Sequence, residues 1–127
     1  MYKEIIITII IIVVIFGLDI LTNNYTSNAA DVISIKLDEL KQEVEQENTE
    51  NIANKTDEIL NKWKEYYNVL AYYIEHDELE KVETQLTMLR ADQNEKKYEE
   101  CKKEIDTTKF ILKHIENKEK FTLQSVF

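Results

Sequence analysis

His76 and His114 are the two histidines of the chain, and Cys101 is its one cysteine. Imidazole and carboxylate groups together form a ligand set for Zn²⁺. His76 and His114, with Glu75, Asp77 and Glu116 nearby in sequence, are therefore the weak metal candidates. They meet only if the helix starting near His76 runs antiparallel to the helix ending near His114. No standard metal-ligand spacing accompanies them. A simpler role is available to each at a helix end. His76 closes one helix, and His114 sits in the last turn of another, where positive charge is favoured. The residues thus predict no metal, no other cofactor and no catalytic group. Cys101 has no partner for an internal disulfide. It falls in helical register with Tyr98 and Ile105, which predicts a buried, inert thiol.

Trp63, Tyr66, Tyr67 and Tyr73 could line an aromatic ligand pocket, but their spacing is that of a helix face packed into a core. The acidic run Glu43, Glu45, Glu47 and Glu50 lacks the alternating Asp/Asn pattern and turning Gly of a calcium loop. It reads as a solvated helix face. No P-loop, metalloprotease helix or Ser–His–Asp arrangement is present. Choosing an acid–base pair among 25 acidic residues would be arbitrary. An enzyme is not expected.

These residues must be positioned by helices. The 127-residue chain has one Gly and no Pro, so turns needing positive φ should be nearly unavailable. Its charged fraction of 32 % favours long helices. The net charge of −9 makes binding to nucleic-acid phosphates unfavourable.

Ile5–Phe16 is an apolar run broken only by Thr8, and Gly17, Leu18, Ile20 and Leu21 extend it around Asp19. As a helix, Ile5–Leu21 rises roughly 25 Å, slightly short of a ~30 Å hydrocarbon core. A core helix would show a polar face, and this segment has none. Residues 1–22 are accordingly expected to be a membrane anchor, with the bilayer as partner. The rival is a signal peptide cleaved after Ala29, at the small-x-small sequence Ser27-Asn28-Ala29. Asp19 is a weak interaction candidate. It either marks the lipid interface or pairs with a partner membrane helix. Lys3 and the α-amino group precede the run, whereas the next basic residue is Lys36. Positive-inside bias then puts the N-terminus in the cytoplasm and the body outside it.

Residues 23–28 are polar and read as a linker. Residues 29–127 read as a helical domain. Its first helix, about Ala29–Glu47, carries the narrow stripe Ile33, Leu37, Leu40 and Val44, like a coiled-coil seam that packs within the domain or against a second copy. The second, about Thr49–Glu75, carries Ile52, Thr56, Ile59, Leu60, Trp63, Tyr67, Leu70 and Ile74, with Tyr72 pointing away. The third starts near Asp77, where Asp77 and Glu80 fit a capping pattern. It buries Leu79, Val82, Leu86 and Leu89 and ends around Ala91–Asn94. The fourth, about Glu95–Glu116, aligns Tyr98, Cys101, Ile105, Thr108, Leu112 and Ile115, flanked by Phe110 and Ile111. Short linkers predict antiparallel neighbours. The fold expected is all-α: one N-terminal transmembrane helix, then an antiparallel bundle of three to four helices. The tail Phe121–Phe127 is apolar enough to dock on the bundle.

Trp63 through Ile74-Glu75-His76-Asp77-Glu78-Leu79, the leucine-rich helix to Leu89, His114-Ile115-Glu116 and the closing Leu123-Gln124-Ser125-Val126-Phe127 together resemble a family of uncharacterised bacterial proteins. This is domain-of-unknown-function family 4363, from spore-forming and related Gram-positive bacteria. The family's usual closing Asn-Ile-Phe is Ser125-Val126-Phe127 here. The resemblance covers essentially the whole chain. It implies an N-terminal membrane segment, a helical remainder and a neighbouring multi-pass membrane protein as partner. It brings no activity, substrate or catalytic residue.

The function expected is that of an interaction module, held in the cell membrane by a single pass and partnered with another membrane protein or a second copy. The alternatives are a helical domain sensing a small molecule or metal, and a secreted helical protein released by signal cleavage. Only four residues precede the apolar run, which leaves a sensor without a cytoplasmic output domain.

Overall fold

The computed structural model describes the backbone of residues 1–126 and the side chains of residues 1–122. Four helices follow in order: α1 (Tyr2–Glu45), α2 (Thr49–Leu70), α3 (His76–Asn94) and α4 (Tyr98–Val126). α1 packs on α2 and α4, and α3 packs on the same two, closing a four-helix ring. Cross-helix pairs fix the directions. Lys36 meets Glu58 at 2.5 Å and Lys55 meets Glu39 at 3.2 Å, so α1 and α2 are antiparallel. Lys41 meets Asp106 at 3.0 Å and Lys109 meets Asp38 at 2.5 Å, so α1 and α4 are antiparallel. Trp63 with Glu83 and Arg90 with Asp57 align α2 against α3 in the same sense.

The core follows from the 3–4 spacing of apolar residues. Ile33, Leu37, Leu40 and Val44 of α1 meet Ile52, Ile59, Trp63 and Leu70 of α2. Leu79, Val82, Leu86 and Leu89 of α3 and Cys101, Ile105, Leu112 and Ile115 of α4 complete it. All sixteen are buried, as the stripes predict. Tyr72 is exposed, also as expected. Phe110, expected to flank the α4 stripe, is exposed at 74 %.

The structure departs from the sequence reading at the joints. The expected linker 23–28 is helical, and α1 runs unbroken from the apolar segment into the bundle. Asn, Ser and Thr are indifferent helix formers, but this stretch packs. Thr26 is 2 % exposed and Tyr25 meets the Tyr66 ring edge-on at 5.6 Å. Thr22 and Thr26 also return their hydroxyls to the carbonyls of Asp19 and Thr22, at 3.1 and 2.8 Å. Tertiary contact therefore carries the helix through.

α2 ends at Leu70 rather than Glu75, because a turn lets Tyr73 reach α1 while Ile74 stays buried. α3 begins at His76 with Glu75 in the capping position and no side-chain capping bond. Asp77 and Glu78 lie in its first turn, where their charge complements the helix dipole, so the expected Asp77–Glu80 cap does not form. α2 does have a side-chain cap: Asn48 accepts from the Asn51 N–H at 3.3 Å.

The turns at 46–48 and 95–97 correct the expectation about positive φ. Glu47 (φ 56°) and Lys96 (φ 58°) adopt it without glycine. In each turn the chain makes the same pair of bonds. Asn48 N–H reaches the Glu43 carbonyl and Glu47 N–H reaches Val44. Lys97 N–H reaches Asp92 and Lys96 N–H reaches Gln93. This is the Schellman closure, which satisfies the last helix carbonyls. Placing Lys96 there also moves the start of α4 from Glu95 to Tyr98.

α4 continues through Val126, well past Glu116. Of the tail expected to dock on the bundle, Phe121 is 70 % exposed and Thr122 is exposed, and the side chains of residues 123–127 lie outside the described ones.

Candidate functional site

The most distinctive feature is the free half of α1. Its side chains from Ile5 to Ile15 are exposed on every side, as are Leu18, Ile20 and Leu21. The helix is long and apolar enough to cross a membrane, a test that a signal sequence also meets. The one polar break is internally satisfied, since the Thr8 hydroxyl donates to the Glu4 carbonyl at 2.8 Å. That arrangement removes an unpaired donor from an apolar surrounding. A Cβ placed on Gly17 would meet nothing within 4 Å, so Gly17 is not packed against the bundle.

Asp19 lies where the free helix becomes the packed one. It is partly buried, and its charge acts on Glu119 of α4. Burial pushes the Glu119 carboxyl up, Lys118 draws it back, and Asp19 adds to the rise. One turn further on, the Tyr73 hydroxyl lies 2.8 Å from the Thr26 hydroxyl and donates to the Thr22 carbonyl at 3.1 Å. Asn28 donates to the Tyr66 hydroxyl at 3.3 Å. This end of the bundle is thus tied to α1 directly after the apolar run.

His76 and His114 are both exposed. The start of α3 does lie beside the end of α4, where Lys118 comes within 3.7 Å of Glu75 and 3.6 Å of Glu78. His76 Nε2 faces Glu80 at 3.8 Å on its own helix. Among the described residues, no group of three or more His, Cys, Asp or Glu side chains is placed to hold a metal ion.

Sequence reasoning missed three buried carboxyls: Glu78, Glu104 and Glu116, at 8, 6 and 2 % exposure. Glu104 is pushed up to about 8, first by burial and then by its hydrogen bond and charge interaction with Asp92. Its Oε2 has no hydrogen-bond partner. Cys101, one turn before it, is pushed up to about 11 by burial and then by Glu104, which makes it an inert thiol. Burial also pushes Glu116 up, but Lys113 at 2.8 Å, Lys120 at 3.8 Å and Ser27 outweigh it and leave it below its ordinary value. The available signal was register: Glu104 and Glu116 adjoin the stripe residues Ile105 and Ile115.

With the fold and these groups in place, comparison with known sequences is decisive. Residues 20–126 match the family described as a domain of unknown function, DUF4363. The chain belongs to the DUF4363 family. No curated protein and no solved structure matches it.

The DUF4363 region begins one residue after Asp19 and takes in every buried residue of α1 together with α2–α4. Within it the aromatic face of α2 is mostly core: Trp63 is 3 % and Tyr66 6 % exposed. Trp63 meets Tyr67 edge-on at 6.3 Å and donates its indole N–H to Glu83 at 3.2 Å. A groove of about 340 Å³ opens beside them between α2 and α3, lined in part by Leu60, Lys64 and Leu86. A shallower groove of about 560 Å³ along α3 is bordered by Glu75, Asp77, Glu78 and Glu80 and closed by Ile111 of α4.

Proposed function

We propose that this DUF4363 protein is a single-pass membrane module in which α1 crosses the bilayer through Ile5–Leu21 and presents the bundle outside the cytoplasm to another membrane protein. The observation that carries this reading is the division of one helix. α1 exposes apolar side chains all around its first half and is buried in the bundle from Thr26 onward. An unbroken helix across that division couples any tilt of the anchor to the bundle, which suits a protein that contacts a neighbour in the same membrane. Lys3 before the run gives the orientation by positive-inside bias.

Retention of the anchor is favoured over release by cleavage after Ala29. Cleavage there would remove Thr26 and Tyr25 from their contacts with Tyr73 and Tyr66, and would open the core at Ala29, which is 1 % exposed. The test is fractionation followed by crosslinking in the native membrane. The expected result is full-length chain in the pellet after a high-salt wash, crosslinked to a specific membrane protein. Recovery of the intact chain as a freely soluble monomer would overturn the reading.

A further inference from the structure

The bundle does not stop where the apolar run stops. α1 and α4 pack against each other, the charge of Asp19 on α1 acts on Glu119 of α4, and α4 stays helical through Val126. At 1.5 Å per residue, the seven residues after Glu119 advance about 10 Å further toward the N-terminal end of α1. Phe16 alone among residues 1–18 is partly covered, which marks how far along α1 the bundle reaches. The end of α4 therefore stands beside residues of the apolar run itself. At the same end, Tyr72 in the α2–α3 turn is 89 % exposed and Phe121 is 70 % exposed, with Lys118 and Lys120 on the turns around Phe121.

We propose that the stretch of α4 from Lys118 to Thr122, together with Tyr72, is a second membrane contact, seated in the headgroup region of the bilayer that α1 enters. The inference rests on α1 being a span. Whatever lies alongside residues 16–21 of α1 must then share their depth. Aromatic side chains favour that zone, and lysines reach from it to phosphate. The segment is mixed in polarity, with Glu119 and Thr122 beside Phe121, as an interfacial element is and a spanning one is not. A bundle held at both α1 and α4 cannot swing freely about the anchor, so its outer faces keep a fixed height above the membrane.

The test uses the full-length chain in nanodiscs of phosphatidylcholine and phosphatidylglycerol. A nitrobenzoxadiazole label is placed on Phe121→Cys, with Ile12→Cys as the span reference and Phe110→Cys as the reference for the outer bundle. Native Cys101 is fully buried and stays unlabelled. Lipids carrying a doxyl quencher near the headgroup should quench the label at 121 severalfold more than at 110, and its emission should be blue-shifted. Should Phe121→Cys fold poorly, Tyr72→Cys makes the same comparison. Quenching at 12 by lipids carrying the doxyl deep in the acyl chain, with 121 and 72 behaving like 110 toward the headgroup quencher, would overturn the second contact and leave the span intact. Absence of quenching at 12 by the deep doxyl would overturn the span and this inference with it.

Discussion

Tyr73 and Thr26, 47 residues apart, place their hydroxyl oxygens 2.8 Å from each other over the carbonyl of Thr22. Two hydroxyl protons there serve three short contacts, because Thr26 also donates to Thr22 at 2.8 Å. The cluster pins the α2–α3 turn to α1 directly after the apolar run, and explains why polar residues 23–28 stay helical.

Tyr73→Phe should cost about 0.5–1.5 kcal/mol, the net value of a hydrogen bond, since Thr26 keeps its bond to the Thr22 carbonyl. Thr26→Val should cost a similar amount. The double variant should cost less than the two together, because both act on one cluster. Denaturant unfolding of the full chain in mild detergent, followed by circular dichroism, reads all three.

Glu104 makes stability depend on pH with a defined sign. Its carboxyl titrates near 4.5 when unfolded and near about 8 in the fold. Between these values the unfolded chain gives up a proton that the native chain keeps, so stability falls as pH rises. Glu104→Gln keeps a donor for Asp92 and removes the titration. The variant should match the parent below pH 4.5 and exceed it increasingly up to pH 8. Equal slopes for both proteins across that window would contradict the raised Glu104 carboxyl.

Glu47 and Lys96 hold positive φ at the two outer turns. Replacing either with Gly should stabilise the fold by about 0.5–1 kcal/mol, since glycine accepts that conformation without steric cost. Glu47→Gly should gain more than Lys96→Gly. An acidic group opposes the negative end of α1, whereas a lysine suits the end of α3. Melting temperatures of the two variants decide the order.

Leu37 and Ile35 lie two residues apart on α1, at 0 and 59 % exposure. Leu37→Ala should lose about 2–5 kcal/mol through cavity formation. Ile35→Ala should stay within about 0.5 kcal/mol of the parent, as surface changes do. Comparable losses at both sites would place an unrecognised contact on the outer face of α1.

Much of this architecture is legible in the order of residues. The apolar run, the four stripes and the burial of Cys101 and Trp63 all follow from side-chain polarity repeating every three to four residues. That signal is complete within a few turns of one helix, so it needs no knowledge of neighbours. The family resemblance, borne out over residues 20–126, is a property of the same kind.

What tertiary structure alone decided lies between helices. Residues 23–28 are poor helix formers by composition, and only Tyr66 and Tyr73 of α2 and its following turn explain why they fold as helix. Glu47 and Lys96 take positive φ because two closing hydrogen bonds in each turn require it, whatever side chain stands there. Glu104 acquires its raised affinity for a proton from burial in the packed bundle and then from Asp92, on a different helix and across a turn. Each of these depends on which residues from distant parts of the chain come to lie side by side. Periodicity within a helix fixes its buried face, but the partners across that face are set only when the helices pack.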